Sequence, residues 1–196
     1  MNRRILVIVA IAMLIPIVLI GCAGDSGDQN GGQEDNTLVV GLEAGYPPFN
    51  WTQMDDSNGG VPIEGSSEYA GGYDVEIAKR IAEGLGKELV VEKIEWSGLL
   101  PALQSGIIDM IAAGMSPTAE RAESIDFSDN YYKSDLVMVV RKGSEYENAT
   151  SIHDFSGATV TGQLETFHYT VIDQIDGVVK DTAMSDFTAM RVALES

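Results

Sequence analysis

From Thr37 onward the chain alternates short, β-branched apolar runs with segments of helical periodicity, and that alternation restricts the fold more than any other feature. Residues 37–43 (TLVVGLE), 88–93 (ELVVEK) and 107–113 (IIDMIAA) read as strands. Between the first two, Val75, Ile77, Ala78, Ile81, Ala82 and Leu85 recur at helical spacing behind Asp74, with Gly86 as the stop. Residues 97–104 predict a short helix, tolerable if Pro101 lies in its first turn. Gly45-Tyr46-Pro47-Pro48 ends the first strand, since two prolines cannot continue a ladder, and residues 55–67 form a polar, glycine-rich excursion. Strands separated by helices predict an α/β fold, a parallel sheet with helices on both faces. Ligands bind beyond the carboxyl ends of such strands, here residues 43–49 and 114–121.

A second unit follows. Residues 134–141 (SDLVMVVR) predict a long strand leading into a polar turn over 142–151. Then come a strand at 159–163, a helix capped by Thr166, a weaker strand at 178–183 and a helix opened by Ser185. The chain stops at Leu194-Glu195-Ser196 inside that helix, and one such unit is a small core for a lobe, so a fragment or truncated reading frame is expected.

The amino terminus has a different character. Met1 to Arg4 is basic, residues 5–20 carry no charge, and the run ends at Leu19-Ile20-Gly21-Cys22. It contains Pro16 and is shorter than the roughly 20 apolar residues of a membrane span. It resembles bacterial lipoprotein signals, which implies residues 1–21 as a signal peptide and diacylglycerol, with palmitate, on Cys22. Residues 22–36 would be the lipidated cysteine and a flexible tether, too poor in apolar residues to form a core. The expected location is the outer face of the cytoplasmic membrane, anchored by lipid. Asp25, Asp28 and Asp35 do not fit a calcium loop, and a single cysteine rules out disulfides and zinc–thiolate sites.

Twelve Lys and Arg stand against 30 Asp and Glu, a net charge of −18, so nothing on this chain could displace counterions from nucleic acid. No serine elbow, His-Glu-x-x-His or phosphate loop is present. His153 and His168 read as surface or packing residues.

Five motifs occur in order: Gly41-Leu-Glu-Ala-Gly-Tyr-Pro-Pro-Phe49, Gly72-Tyr-Asp-Val-Glu-Ile-Ala78, Trp96-Ser-Gly-Leu-Leu-Pro-Ala-Leu-Gln-Ser-Gly106, Gly114-Met-Ser-Pro-Thr-Ala-Glu-Arg121 and Asp126-Phe-Ser-Asp-Asn-Tyr-Tyr132. Together they resemble the polar amino-acid solute-binding proteins of ABC importers. The resemblance implies a two-lobed, periplasmic-binding-protein-like type 2 clamshell, with residues 37–140 in lobe 1 and 141–196 as the start of an incomplete lobe 2. It implies a monomer without cofactor or metal, binding a polar L-amino acid and passing it to an ABC permease and its ATPase. The alternatives on the same fold are a dehydratase-like enzyme and a ligand-sensing module.

The resemblance also implies a site. Arg121 would fork onto the ligand α-carboxylate, although by itself it reads equally as a surface arginine paired with Glu120 or Glu123. Ala113, the carbonyl of Gly114 and the hydroxyl of Ser116 would face the ligand ammonium, and Phe49 and Trp96 would sandwich its side chain. Trp51 reads instead as core. Glu43 would reach the distal group and favour a basic or amide ligand, or else be a solvated carboxylate at a strand end. Thr166 would receive the ligand carboxylate at a helix start, with Glu165 standing where relatives have glycine.

Overall fold

The computed structural model describes residues 36–196; Cys22, the apolar run before it and the tether up to residue 35 lie outside the described residues. Strand β1 (Thr37–Leu42) is central, pairing in parallel with β6 (Glu88–Lys93) on one side and β7 (Met110–Ile111) on the other. Its side chains are buried on both faces, which explains why its sequence is a continuous apolar run. Leu38 and Val40 pack with Ala78 and Ala82 of helix α1 (Tyr73–Leu85), while Val39 joins the larger cluster. That cluster contains Leu42, Val91 and two residues of helix α2 (Trp96–Gln104), Leu99 and Ala102.

α1 ends where the pattern predicts: Gly86 adopts φ 68° and its N–H returns to the last turn. Its buried stripe is narrower than the periodicity suggests, because Ile81 and Leu85 are exposed. Pro101 is the sixth residue of α2, not in its first turn as expected. The third strand is also shorter than residues 107–113. Asp109 replaces ladder pairing there, donating its N–H to Val39 O and accepting Val39 N–H on its carboxylate, both at 2.8 Å.

The polar excursion over residues 55–67 supplies one strand of a small sheet whose other strands flank it. Strands β2 (Gly45–Tyr46), β3 (Asn50–Gln53), β4 (Val61–Pro62) and β5 (Tyr69–Gly71) form an antiparallel sheet in the order β2-β3-β5-β4. Half-buried Trp51 lies on β3 opposite Gly71, and fully buried Ala70 ties this sheet to the main core.

Residues 134–141 form no strand. Among the described residues they have no ladder partner, and Leu136, Val137, Met138 and Val139 are exposed; β-branched composition does not make a strand without a neighbour. Beyond them a separate core gathers Phe155, Ala158, Val160, Ile172 and Ile175. Around it lie the short parallel pair β8 (Thr159–Val160) and β9 (Val179–Lys180) and helix α4 (Phe167–Thr170); α3 (Ala119–Ala122) belongs to the first region, and α5 (Phe187–Glu195) packs toward β2. α5 is capped by Asp186, whose carboxylate accepts Ala189 N–H at 2.8 Å, one residue later than the predicted Ser185.

Candidate functional site

The turn after β7 sets the first group. Ala113 is buried, and Gly114 adopts φ 62°, so a side chain there would be strained, although a Cβ would meet the Tyr46 ring only at ordinary contact distance, 3.5 Å. Thr118 caps α3 by accepting Arg121 N–H at 3.2 Å, which turns the Arg121 side chain back toward the strand ends. Its guanidinium donates to Ser116 O at 2.9 Å and Glu165 O at 3.0 Å, and lies 5.4 Å from the centre of the Trp96 ring. Trp96 Nε1 donates to the same Glu165 carbonyl at 3.3 Å. Burial weakens the hold of Arg121 on its proton, while Glu120 and Glu165 oppose that. Among the described residues its guanidinium makes no ion pair, so it is not the paired surface arginine that its neighbours Glu120 and Glu123 suggest. The structure thus brings Trp96, Ser116 and Arg121 together and reaches them from Glu165.

Glu43 follows β1 and is buried, at 8% exposure. One of its carboxylate oxygens accepts from Gln163 Nε2 at 2.9 Å, and that amide also donates to Ser185 O at 3.1 Å. Burial raises the Glu43 pKa above the usual carboxylate range; the Gln163 bond lowers it, and Asp186 and Glu95 raise it further. Glu43, Lys93, Glu95 and Asp186 line a cavity of about 210 Å³. It is not the solvated carboxylate of the alternative reading. Gln163 went unrecognised as a partner because a neutral amide 120 residues away in sequence carries no signal of its own.

Phe49 occupies a different setting. It stacks on Tyr46 at 5.0 Å and meets Tyr132 and Tyr73 edge-on, and no ring contact joins it to Trp96 among the described residues. Tyr46 in turn stacks on Phe187 of α5 at 4.4 Å. Beneath them fully buried Asp74 accepts from Asn50 Nδ2 at 2.7 Å and from the Tyr131 hydroxyl at 2.8 Å. Burial raises the pKa of both Asp74 and Tyr131.

Thr166 stands at the N-cap of α4, yet its hydroxyl donates back to Gln163 O at 2.7 Å and caps no helix N–H, contrary to the cap expected. It pins the turn carrying Glu165. His168 packs against Phe167, with Nδ1 buried and unbonded, and its pKa is lowered by burial and by Arg121. His153 is exposed. No group of His, Cys, Asp and Glu among the described residues could hold a metal, and no described helix is long and apolar enough to cross a membrane.

Solved structures of two-lobed amino-acid-binding proteins of the type 2 periplasmic-binding-protein architecture share this α/β fold. Residues 38–189 match the bacterial extracellular solute-binding proteins, family 3, and the chain belongs to that family. Its members are solute binders rather than enzymes. The chain is 32% identical over 164 residues to the arginine-binding extracellular protein ArtP of Bacillus subtilis, covering 84% of this chain and 56% of that one. It is 34% identical over 153 residues to a probable histidine-binding protein of Campylobacter jejuni, covering 76% and 54%. Among solved structures, the arginine-bound form of truncated ArgBP from T. maritima superposes with a TM-score of 0.68 at 34% identity, covering 82% of this chain and 69% of that one. An ancestral arginine-binding protein bound to glutamine gives 0.69 at 34%, covering 82% and 65%. The chain spans about half the length of the curated relatives it matches.

Proposed function

We propose that this protein captures a polar L-amino acid, with a basic or amide side chain favoured, and delivers it to an ABC permease driven by its ATPase. The observation that carries the reading is that both signs of charge occur beyond the strand ends, Arg121 over the Trp96 ring and buried Glu43 at an acidic cavity. A guanidinium suits an α-carboxylate, and a carboxylate suits a distal guanidinium, ammonium or amide. Ala113, Gly114, Ser116 and Thr166 complete the proposed site, with Phe49 supplying an apolar face. Residues 37–140 act as one lobe and 141–196 as part of the second, and the ligand favours the form in which both lobes touch it. Cys22 carries the lipid that holds the protein, as a monomer, at the outer face of the cytoplasmic membrane.

Thermal unfolding of the full chain against a panel of L-amino acids, with D-isomers as controls, tests this. One or two L-amino acids should raise the transition, because stabilisation follows occupancy of the native state. A cooperative transition that no amino acid moves would refute binding by this chain.

A further inference from the structure

Glu165 holds a backbone conformation that a side chain disfavours. Its φ of 57° lies in the left-handed region, where glycine is the unstrained choice. The turn is nevertheless firmly set. Its carbonyl accepts from both Arg121 Nη2 and Trp96 Nε1, and on either side Thr166 is buried and bonded to Gln163 O. A strained conformation that persists because its surroundings fix it points to a use for the residue found there. The side chain of Glu165 is exposed, and its backbone carbonyl, 3.0 Å from Arg121 Nη2, places the residue next to the guanidinium.

We propose that Glu165 sets affinity: the negative charge it carries on a backbone held against Arg121 competes with the α-carboxylate of the incoming amino acid and keeps binding weaker than the other contacts would make it. The inference rests on the amino-acid reading above. A carrier that must hand on its ligand is served by such a residue, because repulsion between the bound carboxylate and Glu165 speeds dissociation. The effect acts on the part common to all α-amino acids and so does not depend on the side chain bound.

The test is titration calorimetry of the full chain with L-arginine and L-glutamine, comparing wild type, Glu165→Gln and Glu165→Gly at low and high salt. Both variants should bind each amino acid roughly fivefold tighter at low salt, and the gain should shrink at high salt as exposed charges are screened. The same factor for both ligands is required, since they share the α-carboxylate. Wild type that binds while Glu165→Gln binds equally or more weakly overturns the charge role and leaves the amino-acid reading standing. A gain seen only in Glu165→Gly assigns the effect to the backbone and also overturns it. Binding by neither wild type nor variants overturns both readings together.

Discussion

β1 and β8 are built on very different scales. β1 has six residue pairs with β6 and a second neighbour in β7, and its Val40 and Leu42, like Val91 and Leu99 in the core around it, are completely buried. β8 has a two-residue ladder with β9, and each of the five apolar residues around it retains some exposure. The first region can therefore hold charged groups in fixed positions against the cost of burying them. The second contributes through the turn where Gln163 and Glu165 meet Glu43, Trp96 and Arg121, and through Asp186 at the cavity and Phe187 stacked on Tyr46.

The contrast breaks most visibly at Leu42. Leu42→Ala should cost about 4 kcal/mol and shift the whole unfolding transition in urea, whereas Ile172→Ala in the second core should cost about 2 kcal/mol. Equal losses would mean that the two cores are equally tight. Hydrogen exchange sharpens the same point, because amides of β1 should be protected for longer than those of β8 and β9.

Tyr131→Phe comes next. It leaves fully buried Asp74 with Asn50 as its remaining hydrogen-bond donor, and should destabilise by about 2 kcal/mol in chemical denaturation. Unchanged stability would show that the Tyr131 bond is not formed in solution. Thr166→Val, which removes the donor to Gln163 O, should cost about 1 kcal/mol and loosen only the second region.

How much of this was legible in the sequence follows the same divide. Residues 88–93 emerge as β6 with the predicted limits, and α1 stops at Gly86, because long apolar periodicity and a capping glycine are local signals. The antiparallel sheet carries no sequence signal, because its strands are two to four residues long and rely on one another. Residues 134–141 erred the other way, having strand composition without a strand's neighbour. Within the proposed site, Arg121 and Glu43 are marked by the family resemblance alone, since each by itself reads as an ordinary surface charge. Their environments are not marked at all, since the Gln163 amide and the Glu165 carbonyl arrive from distant sequence.

The smallest expected effect is a pH dependence. Burial raises the folded pKa of Glu43 above its ordinary 4.5, so the folded state binds that proton more tightly than the unfolded chain does. The stability it contributes is complete below about pH 4.5 and is lost as pH rises through the raised folded value. Glu43→Gln should remove that decline, read as the difference between two profiles of melting temperature against pH. Parallel profiles would place Glu43 in solvent.

The most direct measurement is calorimetric titration of Arg121→Ala beside wild type, using whichever L-amino acid stabilises the wild-type chain. The account predicts that binding is lost while the variant still unfolds cooperatively. Unchanged affinity would contradict it and remove Arg121 from the site.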